Sequence, residues 1–237
     1  MHLQQSHYVN YILYARYLVV VKIIREADEK NAAGGMDRIA KTLFKPIYPV
    51  IAWNAVEETG ISEGVCVDLG SGPASLAIAM AAYPGFRIYA LDHSPASNEI
   101  AEKNIEDAGL SERITVVKGP VEEIPLESGI ADLVVSRGSA FFWEDYERAF
   151  SEIGRILKPG GRSYIGGGFG NAKLRDSIVE EMIRRDPDWE KKYRRNMSPD
   201  MKQTFLDNAS KMKDCNVRCI DDETGLWIII EKKVEAS

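Results

Sequence analysis

Asp68 and Asp92 flank a glycine turn, Gly70-Ser71-Gly72, in an order that suits a bound nucleoside. An acid at the end of a second strand, about 20 residues beyond such a turn, can accept hydrogen bonds from both ribose hydroxyls. Asp92 holds that position, and its competing role as a helix N-cap falls more naturally to Ser94. Asp68 faces the same crevice from the strand before the turn, where a carboxylate orients an ammonium group directly or through water. Gly70 and Gly72 allow φ > 0 and let a ligand approach the backbone closely. By itself the glycine pattern also describes an ordinary tight turn between strand and helix.

A second set of residues follows later apolar strands. Arg137 ends one of them, at the carboxyl edge of the sheet where ligands bind, and a guanidinium there can clamp a carboxylate or phosphate. Its structural alternative is an ion pair with Asp68 or Asp132. Phe141-Phe142-Trp143 comes just after it, and three consecutive aromatics cannot all face one core, so at least one is expected to border a pocket or lid. Gly166-Gly167-Gly168-Phe169-Gly170 reads either as a flexible connection or as a close backbone approach to a ligand. Glu144, Asp145 and Tyr48 are candidate general bases, and none stands out.

The elements that position these residues alternate. Val65 to Leu69 reads as a strand buried on both faces, with a helix from Pro73 to about Tyr83. Strands follow at Arg87–Leu91, Ile114–Val117, Asp132–Ser136 and Ser163–Ile165, with helices from Ser94-Pro95 to about Ala108 and from Glu144 to Leu157. Such βαβ alternation predicts a parallel sheet with helices on both faces. Helices are expected near 171–185 and 199–213. Val217–Ile220 and Leu226–Ile230 are then separated only by Asp221 to Gly225, a loop short enough to permit only an antiparallel hairpin. The fold class expected is α/β, a doubly wound, mostly parallel seven-stranded sheet with an antiparallel C-terminal hairpin.

The 237-residue chain has a net charge of −6, which argues against nucleic acid as its main partner, and the cluster Lys191, Lys192, Arg194, Arg195 reads as a solvated helix face. Cys66, Cys215 and Cys219 make neither a disulfide framework nor a metal site, and a reducing cytoplasm fits them. Residues 1–35 are read as a helical extension and 36–237 as the single domain. Residues 6–27 are read as a tyrosine-rich apolar helix interrupted by Asn10, Arg16 and Lys22, which argues against a membrane span. Covering an active site, joining two copies as a homodimer and touching a membrane surface are the roles open to it. Asn31-Ala32-Ala33-Gly34-Gly35 is expected to break it, with Asp37 capping the next helix, and a true start at Met36 is the alternative.

Five motifs stand in order: VDLGSGPASLAIAMA, ALDHSP with IAEKNIEDAGL, ITVVKGPVEEIPL, ADLVVSRGSAFFWED and ILKPGG. With the terminal hairpin, the chain resembles the class I S-adenosylmethionine-dependent methyltransferases, nearest the small-molecule type 11 group, over about residues 36–232. The resemblance implies a Rossmann-like fold, S-adenosylmethionine as cofactor and a small-molecule methyl acceptor. It implies that Asp68, Gly70, Ser71 and Gly72 surround the methionine part of the cofactor and that Asp92 binds the ribose, with His93 either flanking the adenosine or merely at the surface. Gly119, Pro120 and Val121 would line the adenine pocket, and Ser136 and Arg137 would lie beside the methyl group and acceptor. Phe141, Phe142, Trp143 and Phe169 are the further acceptor contacts expected. Two positions depart from the pattern: Ala74 stands where glycine is common, and Pro120 replaces an acid that often contacts the adenine amine, leaving Glu122 or Glu123 to compensate. A non-catalytic cofactor-binding sensor or partner protein and a nicotinamide-dependent oxidoreductase are the competing functions.

Overall fold

The computed structural model describes residues 26–234. In chain order the elements are α1 (26–41), α2 (Ile47–Thr59), β1 (Glu63–Leu69), α3 (Ser75–Met80), β2 (Gly85–Asp92), α4 (Pro95–Asp107), β3 (Ile114–Lys118), β4 (Ala131–Arg137), α5 (Tyr146–Ile156), β5 (Leu157–Gly168), α6 (Ala172–Arg185), α7 (Trp189–Asn196), α8 (Pro199–Ala209), β6 (Cys215–Asp222) and β7 (Gly225–Lys232). The seven strands form one sheet in the order β3-β2-β1-β4-β5-β7-β6. All neighbours from β3 to β5 are parallel, and β7 runs antiparallel to both β5 and β6. The expected architecture is therefore the observed one.

Period-2 alternation along the buried strands divides the core into two layers. Cys66, Ile88, Leu133 and Val135 face α2, α3, α4 and α6, where Ile51, Met80, Ile105 and Ile178 meet them. Val67, Leu69, Val134 and Ile165 face α5 and α8, packing on Phe150, Ile153 and Phe205. Tyr164 of β5 stacks on Trp227 of β7 with centroids 4.3 Å apart, which seats the hairpin on the parallel part of the sheet.

Local boundaries depart from the sequence reading. The helix expected to break at 31–35 runs on to residue 41. Gly34 and Gly35 disfavour it by about 1 kcal/mol each relative to alanine. Burial of Ala33 and Ala40 and a 2.8 Å bond from Asn104 Nδ2 to Asp37 Oδ1 hold it in place. Asp37 is thus mid-helix rather than a cap, and the boundary expected after residue 35 falls inside α1. The 6–27 helix lies almost wholly outside the described residues. Helix α3 opens at Ser75 and not at Pro73, because Ala74 takes φ +63°, the one positive φ of a non-glycine residue among the described residues. Strand β5 extends from Leu157 through the Lys158-Pro159-Gly160-Gly161 turn, with a register shift against β4 between Ala131 and Leu133. Among the described residues, no helix is long and apolar enough to cross a membrane.

Candidate functional site

The carboxyl ends of β1, β2 and β4 converge on the glycine turn. Gly70 (φ +64°) and Gly72 (φ +53°) both take left-handed conformations. At Gly70 a side chain would strike Ser139, whereas at Gly72 a Cβ would meet nothing within 4 Å, leaving room above the backbone. Ser71 is anchored by its N–H to Leu91 O (2.9 Å), while its buried hydroxyl has no protein partner. Asp92 Oδ2 accepts from Gly72 N and Oδ1 from Ser94 N, each at 2.9 Å, so this acid ties the end of β2 to the turn. Ser94 is the N-cap of α4, as its type predicts. Gly119 N donates to Asp92 O at 3.1 Å, bringing the end of β3 alongside. His93 is largely exposed, with Nδ1 3.8 Å from Asp92 Oδ1.

Asp68 is only 2% exposed and accepts from Ala77 N at 3.0 Å. Burial pushes its carboxyl up to about 8; the Ala77 N–H opposes that rise and the charge of Asp92 adds to it. Ser136, expected beside the ligand, is fully buried and faces the backbone instead. Its hydroxyl and that of Ser139 both donate to Leu69 O, at 2.8 and 2.9 Å, and Trp143 Nε1 donates to Ser139 Oγ at 3.3 Å. This clamp fixes the last residue of β1. The sequence reading missed Ser139, although its place three residues after Ser136 in the SRGS run was a usable signal.

Arg137 lies on the other side of β4. Its guanidinium carbon sits 4.5 Å from the Phe44 ring centroid, 5.4 Å from Phe169 and 5.9 Å from Tyr48. Nε donates to Gly168 O at 3.3 Å. Neither expected ion pair forms: Asp132 accepts from Lys158 Nζ (2.6 Å) and Val65 N (2.7 Å), and Asp68 is held by Ala77. Burial lowers the Arg137 pKa, opposed only by the Tyr48 phenol beside it. Trp189 and Tyr193 of α7 stack in parallel 5.2 Å apart and lean on Phe169 from outside.

The three consecutive aromatics separate. A 3-10 turn at Ala140–Phe142 sends Phe141 onto Phe205 (5.6 Å) and Trp143 onto Phe150 (6.0 Å), inside the α5 and α8 layer. Both rings are buried in that layer. Phe142 is left 71% exposed at the edge of the site. The 166–170 glycines are likewise required by packing, since a Cβ at Gly166 would strike the Leu226 carbonyl and one at Gly167 the Phe141 ring. Asp145 caps α5 through Arg148 N (3.0 Å), and burial raises the Tyr48 hydroxyl above its usual value, so neither is poised as a base. Glu122 accepts from Glu144 N (3.0 Å) and Glu123 pairs with Arg148 (3.5 Å). A shallow groove of about 460 Å³ between Pro49, Trp53, Ile78 and Tyr83 lies apart from the glycine turn and has no acid among its lining residues.

A Methanococcus maripaludis protein assigned as an S-adenosyl-L-methionine-dependent methyltransferase has a crystal structure that superposes with a TM-score of 0.85 at 52% identity, over 87% of this chain and 94% of that one. The chain belongs to this methyltransferase family. The methyltransferase domain profile matches residues 67–165. Dimethylglycine N-methyltransferase of Parasynechococcus marenigrum is 33% identical over 41% of this chain and 35% of its own length. Sterol 4-C-methyltransferase of Caenorhabditis elegans is 27% identical over 46% of this chain and 33% of its own. The chain thus spans about a third of the length of these curated relatives. S-adenosylmethionine is the cofactor of the family, and three features of the turn fit it: the open space over Gly72, the unpartnered Ser71 hydroxyl and a buried acid, Asp68, suited to an ammonium group.

Proposed function

We propose that this methyltransferase acts on a small-molecule acceptor by direct displacement, at the carboxyl edge of β1, β4 and β5. The observation that carries the reading is the roof over β4 and β5. Phe44, Tyr48 and Phe169, the last braced by Trp189 and Tyr193, surround Arg137, which sets one cation among aromatic rings at the carboxyl end of the sheet. Dimethylglycine and a sterol, the acceptors in the relatives' names, are both small molecules.

When bound, the cofactor supplies a methyl group on a positively charged sulfur. In our reading Asp68, Gly70, Ser71 and Gly72 hold its methionine end, and Asp92 binds the ribose with His93 at the rim. Gly119, Pro120 and Val121 line the adenine side. Ser136 acts through Leu69 O rather than by contact. Arg137 and Phe169 face the acceptor, and exposed Phe142 stands at its entrance. The residues contribute alignment and exclusion of water, which suit a displacement whose transition state disperses charge. With Asp145 capping α5, the Tyr48 hydroxyl raised by burial and Glu144 exposed to solvent, we read the acceptor as one that presents its own electron pair. A cytoplasmic setting accompanies the reading, supported by Cys66, Cys215 and Cys219 remaining free thiols.

The test is transfer of an isotope-labelled methyl group from S-adenosylmethionine in a cell extract. Label should enter the low-molecular-weight fraction. Label confined to protein or nucleic acid, or no transfer at all, would overturn the proposal.

A further inference from the structure

We propose that Arg137 is the receptor for a carboxylate on the methyl acceptor, which makes small organic acids the substrate class. The inference rests on the methyltransferase reading and adds a chemical identity to its acceptor.

A guanidinium has five N–H donors in a planar fork that matches a carboxylate with two parallel bonds. At Arg137 one donor reaches Gly168 O at 3.3 Å, and the Tyr48 phenol is the other polar neighbour. Among the described residues, no carboxylate lies within ion-pair distance. The two acids that sequence offered as partners are engaged elsewhere, Asp132 by Lys158 and Val65 and Asp68 by Ala77. Three rings surround the charge without neutralising it. A part-buried cation without a carboxylate partner favours an anion beside it.

Arg137 stands beside the cofactor residues, on the neighbouring strand: Val135 pairs with Asp68, and Tyr48 interacts with Arg137 as well as with Ser75 and Asp68. The glycine turn follows β1, and Asp92 ends β2, so the cofactor residues fall on the β2 side of β1. Arg137 ends β4, and its contacts with Gly168 and Phe169 lie at the end of β5, one strand further in the opposite direction. A carboxylate seated there extends back towards the turn, which brings the rest of the acceptor to the methyl donor. Arg175 of α6 is paired with Asp176 at 2.8 Å. One open guanidinium matches a singly charged carboxylate better than a phosphate, which commonly recruits further donors or a helix N-terminus.

The experiment uses the full chain saturated with S-adenosylhomocysteine and measures binding of benzoate against benzamide, propionate against propionamide, and inorganic phosphate. At least one acid should bind at least tenfold more tightly than its amide. Arg137→Met should abolish that preference while S-adenosylhomocysteine affinity stays within threefold. Arg137→Lys, which keeps the charge but loses the fork, should retain part of the preference. Equal binding of acids and amides, no binding of either acid, or binding of phosphate alone would overturn the proposal, and these arms need no variant. It also falls if Arg137→Met weakens S-adenosylhomocysteine more than tenfold but leaves methylthioadenosine unchanged, because the guanidinium would then hold the cofactor's own carboxylate. Failure of the wild type to bind S-adenosylhomocysteine would instead remove the methyltransferase reading beneath it.

Discussion

Asp92 engages the backbone with both carboxylate oxygens, one bonded to Gly72 N and one to Ser94 N, so it shapes the glycine turn before any ligand arrives. Asp92→Ala should therefore weaken S-adenosylhomocysteine binding by ~1–3 kcal/mol, the scale for losing a charged hydrogen-bond partner. Calorimetry checks this, and unchanged affinity would remove the ribose assignment. Asp68 gives a pH signature of the opposite sense to an ordinary paired acid. Its folded value of about 8 stands above the ordinary carboxylate value near 3.9, so between the two the folded protein keeps a proton that the unfolded chain has released. Stability should fall as pH rises from about 4 to about 8 and level off above that. Asp68→Asn, a neutral isostere, should flatten the decline in denaturant midpoints measured from pH 5 to pH 9. A slope identical to wild type would show that another group governs it. Both aspartates were legible from type and spacing alone. The Ser136–Ser139–Leu69 clamp was not, because a serine's choice between ligand and carbonyl depends on which way its strand end turns.

The turn between β1 and α3 carries a strained residue at Ala74, buried with φ +63°. Alanine in the left-handed region is disfavoured by roughly 1–2 kcal/mol, and glycine avoids that strain at the expense of a freer unfolded chain. Ala74→Gly should consequently raise stability by up to ~1 kcal/mol in urea unfolding, and a marked loss would mean that its methyl group packs better than its backbone suffers. The opposite substitution applies at the hairpin junction. Gly166 pairs with Trp227, and a Cβ there would run into the Leu226 carbonyl. Gly166→Ala should separate β5 from β7 and lower stability by several kcal/mol, on the order of severe overpacking. If the variant unfolds like wild type, the glycine serves the acceptor and not the strand pairing. Strand and hairpin elements were readable because buried β-branched runs and short turns leave few alternatives. Helix α7 was harder to read. Its aromatic pair Trp189 and Tyr193 sits among Lys191, Lys192, Arg194 and Arg195, a composition that also describes a solvated surface helix.

At the scale of the whole molecule, the site divides along the sheet. In the proposed reading, most cofactor residues come from one contiguous stretch, 68–92, with Gly119, Pro120 and Val121 outside it, and such a stretch reads as one motif. The acceptor half that we propose would be assembled from Phe44, Tyr48, Arg137, Phe169 and Trp189, which belong to segments far apart in the chain and meet only in the folded protein. This division predicts that the two halves respond differently to ligand. A cofactor that binds only the folded chain stabilises it by RT ln(1 + [L]/Kd), about 2.7 kcal/mol at a hundredfold excess over Kd. For a chain of this size that corresponds to a rise in Tm of roughly 5–11 °C, at about 2–4 °C per kcal/mol. Hydrogen exchange with S-adenosylhomocysteine should slow most at Gly70, Ser71, Gly72 and Ser94, whose amides lie in or beside the turn that Asp92 braces. Amides of α7 should change little until an acceptor-side ligand is added, because this helix buries none of its residues and meets the proposed site through Phe169. Equal protection of the turn and α7 by S-adenosylhomocysteine alone would mean that the roof closes on the cofactor, and the independence of the two halves would be lost.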